Sequence, residues 1–468
     1  MLFPLAAALL GAATLRLESC TVPGVSEALR CGTLEVPENR TAPGGRRIGL
    51  RIVIVPAKEP TPGAAPLFHL EGGPGVAATA MAPLYAVELP EYRRRRDVVL
   101  VDRRGTGASN GLTCAVDEMR RHLEKMYAHD EVVECRRRLE ARADLTQYAT
   151  DAAADDLDDV RAALGHDRID LFGLSYGTRL ALVYMRRHPD RVRSAVLMGP
   201  APTDLAMPLH HAPDGQRALD LLLSDCADDA ACHRAFPRLR EDLRAVLDRL
   251  ERAPVAVSLP RAPGGPPSTY HLTRGAFAEQ VRTRLYAPSS RRSLPLAIHA
   301  ASRGDFEPFL EPLRAGEGGP EIAGGLYLSV TCTEDVPFID SAEAERLAAG
   351  TALGLYRVRE QRAACQEWPR GPLDPAFRRP VDSTAPTLIV SGERDPVTPP
   401  RLGEQVVRHL PNGRHVVIPQ GAHVPAGIEP IGCLDGILLR FYEKASAKDL
   451  DPGCLKDMRG PAFVLPTP

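Results

Sequence analysis

The most constraining feature of this chain is Gly173-Leu174-Ser175-Tyr176-Gly177, a G-x-S-x-G between two segments of opposite character. Before it, Arg168-Ile169-Asp170-Leu171-Phe172 reads as a short buried strand. After it, Arg179 to His188 carries Leu180, Leu182, Val183 and Met185 with no glycine or proline, which reads as a helix. Glycines flanking a serine at such a junction predict a very tight turn, because a side chain there would strike the strand or the helix. On that turn the hydroxyl stands clear of the sheet, at a helix N-terminus whose dipole favours developing negative charge. The motif acquires a catalytic meaning only if the rest of the chain supplies a base, an orienting acid and donors for an oxyanion.

The surrounding pattern predicts where those groups would come from. Residues 47–56 and 64–70 read as strands, the second running into Glu71-Gly72-Gly73-Pro74-Gly75. Residues 97–101 form a third strand, leading into Asp102-Arg103-Arg104-Gly105-Thr106-Gly107, and residues 151–164 an acidic amphipathic helix. Ser194 to Met198 is another strand. The alternation indicates an α/β fold, a mostly parallel sheet with helices on both faces. After Pro200 the pattern turns helical, with Pro- and Gly-rich breaks such as Pro260 to Pro267. At Ala385 the alternation returns, with a strand, a helix over Pro400 to Leu410 and a last strand over Gly413 to Pro419. The expected organisation is an N-terminal segment at 1–19, a first core part at 20–202, a helical cap at 203–375 inserted before the last two strands, and a second core part at 376–468.

Acyl transfer to a serine needs a base to take the hydroxyl proton and an acid to hold the imidazole in the correct tautomer. Asp395, in Ser391-Gly392-Glu393-Arg394-Asp395-Pro396-Val397-Thr398-Pro399, follows a predicted strand, and His423, in Gln420-Gly421-Ala422-His423, follows the next. Both loops emerge at the carboxyl edge of a parallel sheet, beside the serine turn, where such sheets place ligands. Glu393 is a rival orienting acid, nearer the strand end. The predicted catalytic residues are therefore Ser175, Asp395 and His423. The oxyanion hole needs two fixed backbone N–H groups. Tyr176, after the serine, supplies one; the glycine-rich loop supplies the other, with Gly73 as first choice and Gly72 as second.

The Gly72-Gly73-Pro74-Gly75 loop, Asp102 to Gly107, and Gly173 to Gly177 together resemble the prolyl aminopeptidase/tripeptidyl aminopeptidase family of α/β-hydrolases. The G-E-R-D-P-V-T-P and G-A-H segments extend the likeness, which covers roughly residues 30–200 and 380–435. The late cysteines and large insertion are more similar to the tripeptidyl branch. The resemblance implies an α/β-hydrolase fold and a serine exopeptidase acting at free N-termini, with no metal and no cofactor. Many prolyl enzymes carry His immediately before G-G-P-G; here that position is Glu71, a departure that bears on proline specificity and not on hydrolysis. The alternative on the same triad is a carboxylesterase or another small-molecule ester or amide hydrolase.

An aminopeptidase must hold the substrate's α-ammonium, and a carboxylate in the pocket would do so. Glu334, Asp335 and Glu71 are the candidates. The formal net charge of −2 argues against nucleic acid as a partner. The dense basic run Arg93 to Arg96 reads as a solvated helix end or loop. The apolar N-terminus, MLFPLAAALLGAATL, is too short for a typical membrane span, so no stable membrane insertion is expected. It resembles a signal-peptide core with Gly11-Ala12-Ala13 as a cleavage site. The ten cysteines fall in neighbouring pairs without a C-x-x-C, which suggests sequential disulfides and an exported, periplasmic or secreted, protein.

Overall fold

The structure, a computed structural model, describes residues 15–260, 265–316 and 320–466. Eleven strands occur among them: β1 (Glu18–Cys20), β2 (Leu29–Pro37), β3 (Arg47–Val55), β4 (Leu67–Leu70), β5 (Val98–Val101), β6 (Ile169–Leu174), β7 (Val192–Met198), β8 (Val255–Pro260), β9 (Pro267–Leu272), β10 (Thr387–Gly392) and β11 (Gly413–Ile418). Nine of these build one sheet in the order β1-β2-β3-β5-β4-β6-β7-β10-β11. The six strands from β5 to β11 in that order run parallel, while β1, β2 and β3 join antiparallel at one edge. Strands β4, β5 and β10 are buried at every position, as strands covered on both faces must be.

Both faces of the sheet are covered. Along β3, Ile48, Leu50, Ile52 and Ile54 enter one apolar core, which α1 (Thr150–Ala163) and α2 (Tyr176–Arg187) complete. Val53 and Val55 point into the other core, closed late in the chain by Leu434, Ile437, Leu438 and Phe441. The period-2 alternation of strand side chains divides the two cores.

Between β7 and β10 the chain runs through α3 (His211–Asp228), the β8–β9 hairpin, α4 (Arg274–Arg284), α5 (Gly324–Glu334) and α6 (Tyr356–Glu367), with shorter helices between. The hairpin adds to the mostly helical reading of this segment: two antiparallel strands stand on either side of the Pro- and Gly-rich break between Pro260 and Pro267. Leu219, Leu222, Phe277 and Phe309 share an apolar core of their own. Leu326, Val330, Cys332, Cys365 and Trp368, farther along, pack instead into the core beneath the sheet.

The cysteines are bonded in sequential pairs, Cys20–Cys31, Cys114–Cys135, Cys226–Cys232, Cys332–Cys365 and Cys433–Cys454. The basic run is not uniformly solvated as expected. Arg93 is buried and paired with Glu27, with further bonds to Pro56 O and Ala86 O, and Arg96 pairs with buried Asp170. The signal-like residues 1–14, with the expected cleavage site, lie outside the described residues. No helix among the described residues is long and apolar enough to cross a membrane.

Candidate active site

The six parallel strands deliver six loops to one edge, and the residues predicted for the triad and the oxyanion hole lie on four of them. Ser175 sits between β6 and α2 with φ 56° and ψ −122°, a conformation sparsely populated by non-glycine residues. Its N–H donates to Met198 O at 2.9 Å, which ties the turn to β7. The flanking glycines are required by space: a Cβ on Gly177 would lie 1.9 Å from Leu70 O, and one on Gly173 would lie 2.7 Å from Gly177 O. The loop after β4 closes over the serine. A Cβ on Gly72 would stand 3.1 Å from Ser175 Cβ and 3.6 Å from its Oγ, so the bare backbone passes directly beside the hydroxyl. Gly73 follows with φ 110°, open to glycine and costly to other residues. Gly72, Gly73 and the first residue of α2, Tyr176, are thus gathered around Ser175.

On the loops after β10 and β11, His423 Nδ1 lies 2.8 Å from Asp395 Oδ2. Asp395 is completely buried. Its Oδ1 accepts from the N–H groups of Val397 and Thr398, both at 2.8 Å, and its Oδ2 accepts from Thr398 Oγ1 at 2.8 Å. Burial pushes this carboxyl up, but His423 and the two backbone N–H donors outweigh it and hold the group below the usual carboxylate range. An ionised Asp395 favours the imidazole tautomer that donates from Nδ1. Arg217 clamps the loop from the cap side, donating to Glu393 O and Asp395 O at 2.7 Å each. The rival acid is placed elsewhere: Glu393 is exposed and faces Arg394 and the N–H of Gln420.

Sequence reading missed Thr398, whose hydroxyl touches both Asp395 and, at 3.0 Å, His423 Nδ1. The available signal was the threonine three residues after an aspartate, a spacing at which the Asp side chain caps the following backbone. It also missed Arg179, fully buried on α2, which pairs with Asp335 Oδ1 at 2.9 Å and lies 3.8 Å from Glu334 Oε2.

The three carboxylates expected to receive an ammonium are placed differently from one another. Glu334 is fully buried at the end of α5 and accepts from Thr150 N and Thr150 Oγ1, both at 2.7 Å. Thr150 Oγ1 in turn meets Tyr176 OH at 2.5 Å, so this carboxylate braces the residue after Ser175 from below. Burial pushes the Glu334 carboxyl up to about 7, against the pull of Arg179. Asp335 is taken by Arg179 and by Met207 N–H at 3.1 Å. Both are therefore committed inside the protein instead of lining an open pocket. Glu71 lies at the glycine loop, where Oε1 meets His69 Nε2 at 2.9 Å and Oε2 accepts from Gly72 N at 2.8 Å. Burial raises its carboxyl, but His69, Gly72 N–H and Arg103 together hold it below the ordinary value. Two of its roughly four lone-pair positions are used, so it retains acceptor capacity. Among the described residues no cluster of three or more His, Cys, Asp or Glu is arranged to hold a metal ion.

A strained serine at a strand–helix elbow, beside a glycine loop and sharing its sheet edge with a His–Asp pair, is the geometry of one fold family. Residues 66–430 match the family model described as the alpha/beta hydrolase fold. This chain is an α/β-hydrolase. It is similar to the serine protease Hip1 of Mycobacterium tuberculosis, 26% identical over 435 residues, covering 84% of this chain and 82% of the relative. It is similar to the tripeptidyl aminopeptidase of Streptomyces coelicolor, 24% identical over 421 residues, covering 82% and 75%. A shorter likeness, 29% over 138 residues, covers 30% of this α/β-hydrolase and 33% of the proline iminopeptidase of Neisseria gonorrhoeae.

Proposed function

We propose that this α/β-hydrolase is a serine peptidase of the aminopeptidase type, exported from the cell. The observation that carries the reading is Ser175 at φ 56° on its elbow, with the His423–Asp395 pair on neighbouring loops of the same sheet edge. Ser175 Oγ attacks the scissile carbonyl as His423 Nε2 takes its proton. The oxyanion is received by the N–H of Tyr176 and of Gly73; Gly72, the second choice from the sequence, has its N–H spent on Glu71 Oε2. His423 then gives its proton to the departing amine as the C–N bond breaks, and water releases the acyl group from Ser175 by the same steps. Peptide substrates are favoured over simple esters because long-range relatives carry the names serine protease and tripeptidyl aminopeptidase. Of the three candidate carboxylates, Glu71 is the one left beside the nucleophile with acceptor capacity, and we assign the substrate's ammonium to it. Five disulfides support an oxidising destination.

The test is a panel of chromogenic peptides with free and acetylated N-termini, run beside simple esters, on the wild type and Ser175→Ala. Free peptides are expected to be cleaved and acetylated ones rejected, with Ser175→Ala folded and slowed on the order of 10⁶-fold. Equal cleavage of free and acetylated peptides would overturn the exopeptidase reading. Activity on esters alone would make the chain an esterase, and near-normal turnover by Ser175→Ala would remove the nucleophile assignment.

A further inference from the structure

Where the cap meets the catalytic histidine, buried groups are left over that the triad does not use. Tyr286, just beyond α4, sets its ring edge-on to His423, with centroids 4.8 Å apart, and its O accepts from Val424 N at 2.9 Å. Arg282 donates to Tyr286 OH at 2.9 Å and is forked onto Glu279. Arg357 on α6 donates to the same Glu279 carboxylate at 3.0 Å and to Tyr327 OH at 2.6 Å. One buried carboxylate thus serves two guanidinium groups. Glu360, the next acid along α6, faces Lys125 as well as Arg357 and binds Tyr127 N–H, so it does not cancel the surplus.

His211, the first residue of α3, lies in the field of Arg282, Arg357 and His423. It is 6% exposed, yet neither ring nitrogen has a hydrogen-bond partner among the described residues. Arg357 Nε is likewise unpartnered. Burial, reinforced by the two arginines, keeps the His211 imidazole neutral, with one donor and one acceptor. A buried polar group without a partner costs free energy, so native proteins pair such groups with ordered water or with ligand.

The side of the site is set by chemistry. The proton from the catalytic histidine goes to the leaving group, so whatever lies beside His423 faces the part of the substrate that departs. We propose that His211, Arg282, Arg357 and Tyr286 form a leaving-group subsite for a carboxylate, making substrates whose departing portion is anionic the preferred ones. For a peptide this is either the α-carboxylate of a single departing residue or the side chain of an acidic one. The proposal rests on the serine-hydrolase reading of the triad, but not on peptides being the substrate.

Two acetate esters of matched size, each ratio taken relative to the uncatalysed hydrolysis of the same pair, separate these questions: 4-carboxyphenyl acetate, with a charged leaving group, and 4-carbamoylphenyl acetate, with a neutral one. The wild type is expected to favour the charged ester in kcat/KM by about tenfold or more, as charge-assisted hydrogen bonds dictate. Arg357→Gln, which leaves Glu279 and Arg282 one to one, and His211→Gln should bring the ratio toward unity, while Arg357→Lys should keep most of it. If Arg357→Gln does not fold, the wild-type ratio and His211→Gln decide. A wild-type ratio near one overturns the proposal, and so does a high ratio unchanged in both Arg357→Gln and His211→Gln. If neither ester is turned over and a fluorophosphonate does not label Ser175, it is the triad reading that has failed. Two peptide arms identify the source of the carboxylate: tetra-alanine against its C-terminal amide, and C-terminally amidated peptides with Asp against Asn in the departing position.

Discussion

Replacing Asp395 by Asn tests the proposed triad at its most constrained atom. The asparagine oxygen can keep both backbone bonds of Oδ1, to Val397 and Thr398 N–H, so the loop should hold its shape. The other end must change. Oδ2 faces Thr398 Oγ1 and His423 Nδ1, each at 2.8 Å, and an amide nitrogen there donates where the carboxylate accepted. The threonine hydroxyl can turn to accept. The imidazole can accept only by carrying its proton on Nε2, and a protonated Nε2 cannot take the proton of Ser175. The expected loss in kcat is on the order of 10⁴-fold, about 5.5 kcal/mol of transition-state stabilisation. Thermal stability should change modestly, since no cavity opens and both backbone bonds of Oδ1 are kept. Glu393→Gln is the paired control, and its exposed side chain predicts a change of less than about threefold. The assay is kcat on a chromogenic substrate, with melting temperature and the rate of fluorophosphonate labelling measured on the same preparations. An Asn variant within tenfold of wild type, or an equal fall in Glu393→Gln, would refute the assignment of the orienting acid.

Thr398→Val removes the hydroxyl shared by Asp395 and His423 and should lower kcat about tenfold with KM nearly unchanged; a change confined to KM would place the threonine in substrate binding instead. Glu334 is held at about 7 against an ordinary 4.5, so between these values the folded protein binds its proton more tightly than the unfolded chain does. Its contribution is full below about 4.5 and is lost as pH rises through about 7, on the order of 1–3 kcal/mol. Glu334→Gln should therefore flatten the fall in urea midpoint from pH 5 to pH 8, and an unaltered difference would contradict the buried-acid account. Reduction of the disulfides, which close loops with separations of 6 to 33 residues, should lower the melting temperature, each bridge contributing about 2–4 kcal/mol. Protein that stays folded after reduction should keep its turnover, because no cysteine belongs to the proposed triad; inactivation without unfolding would argue otherwise.

Local chemistry made the sheet edge legible in the chain itself. Glycines at 173 and 177 call for a tight turn, the Val-rich β5 and the Leu-Ile-Val run of β10 read as buried strands, and Asp395 and His423 each follow a strand in chain order. These are constraints among near neighbours, expressed in periodicity and in the space a Cβ needs. The likeness of the three glycine motifs to a known family added the peptidase expectation. Pairing between distant segments left no such mark. Glu334 and Asp335 are a carboxylate pair in any reading of the chain, and only the fold reveals that Arg179, more than 150 positions earlier on α2, meets them in the core. The same holds for Glu279, claimed by arginines on two helices, and for His211, polar and buried yet without a hydrogen-bond partner among the described residues. The edge strands β1 and β2 and the β8–β9 hairpin escaped notice because their half-exposed alternation is weak beside the buried runs. Whether a charge is a ligand, a brace or a surplus depends on what is packed against it and how much water is excluded. Those are properties of tertiary contact, and no window along the chain contains both partners.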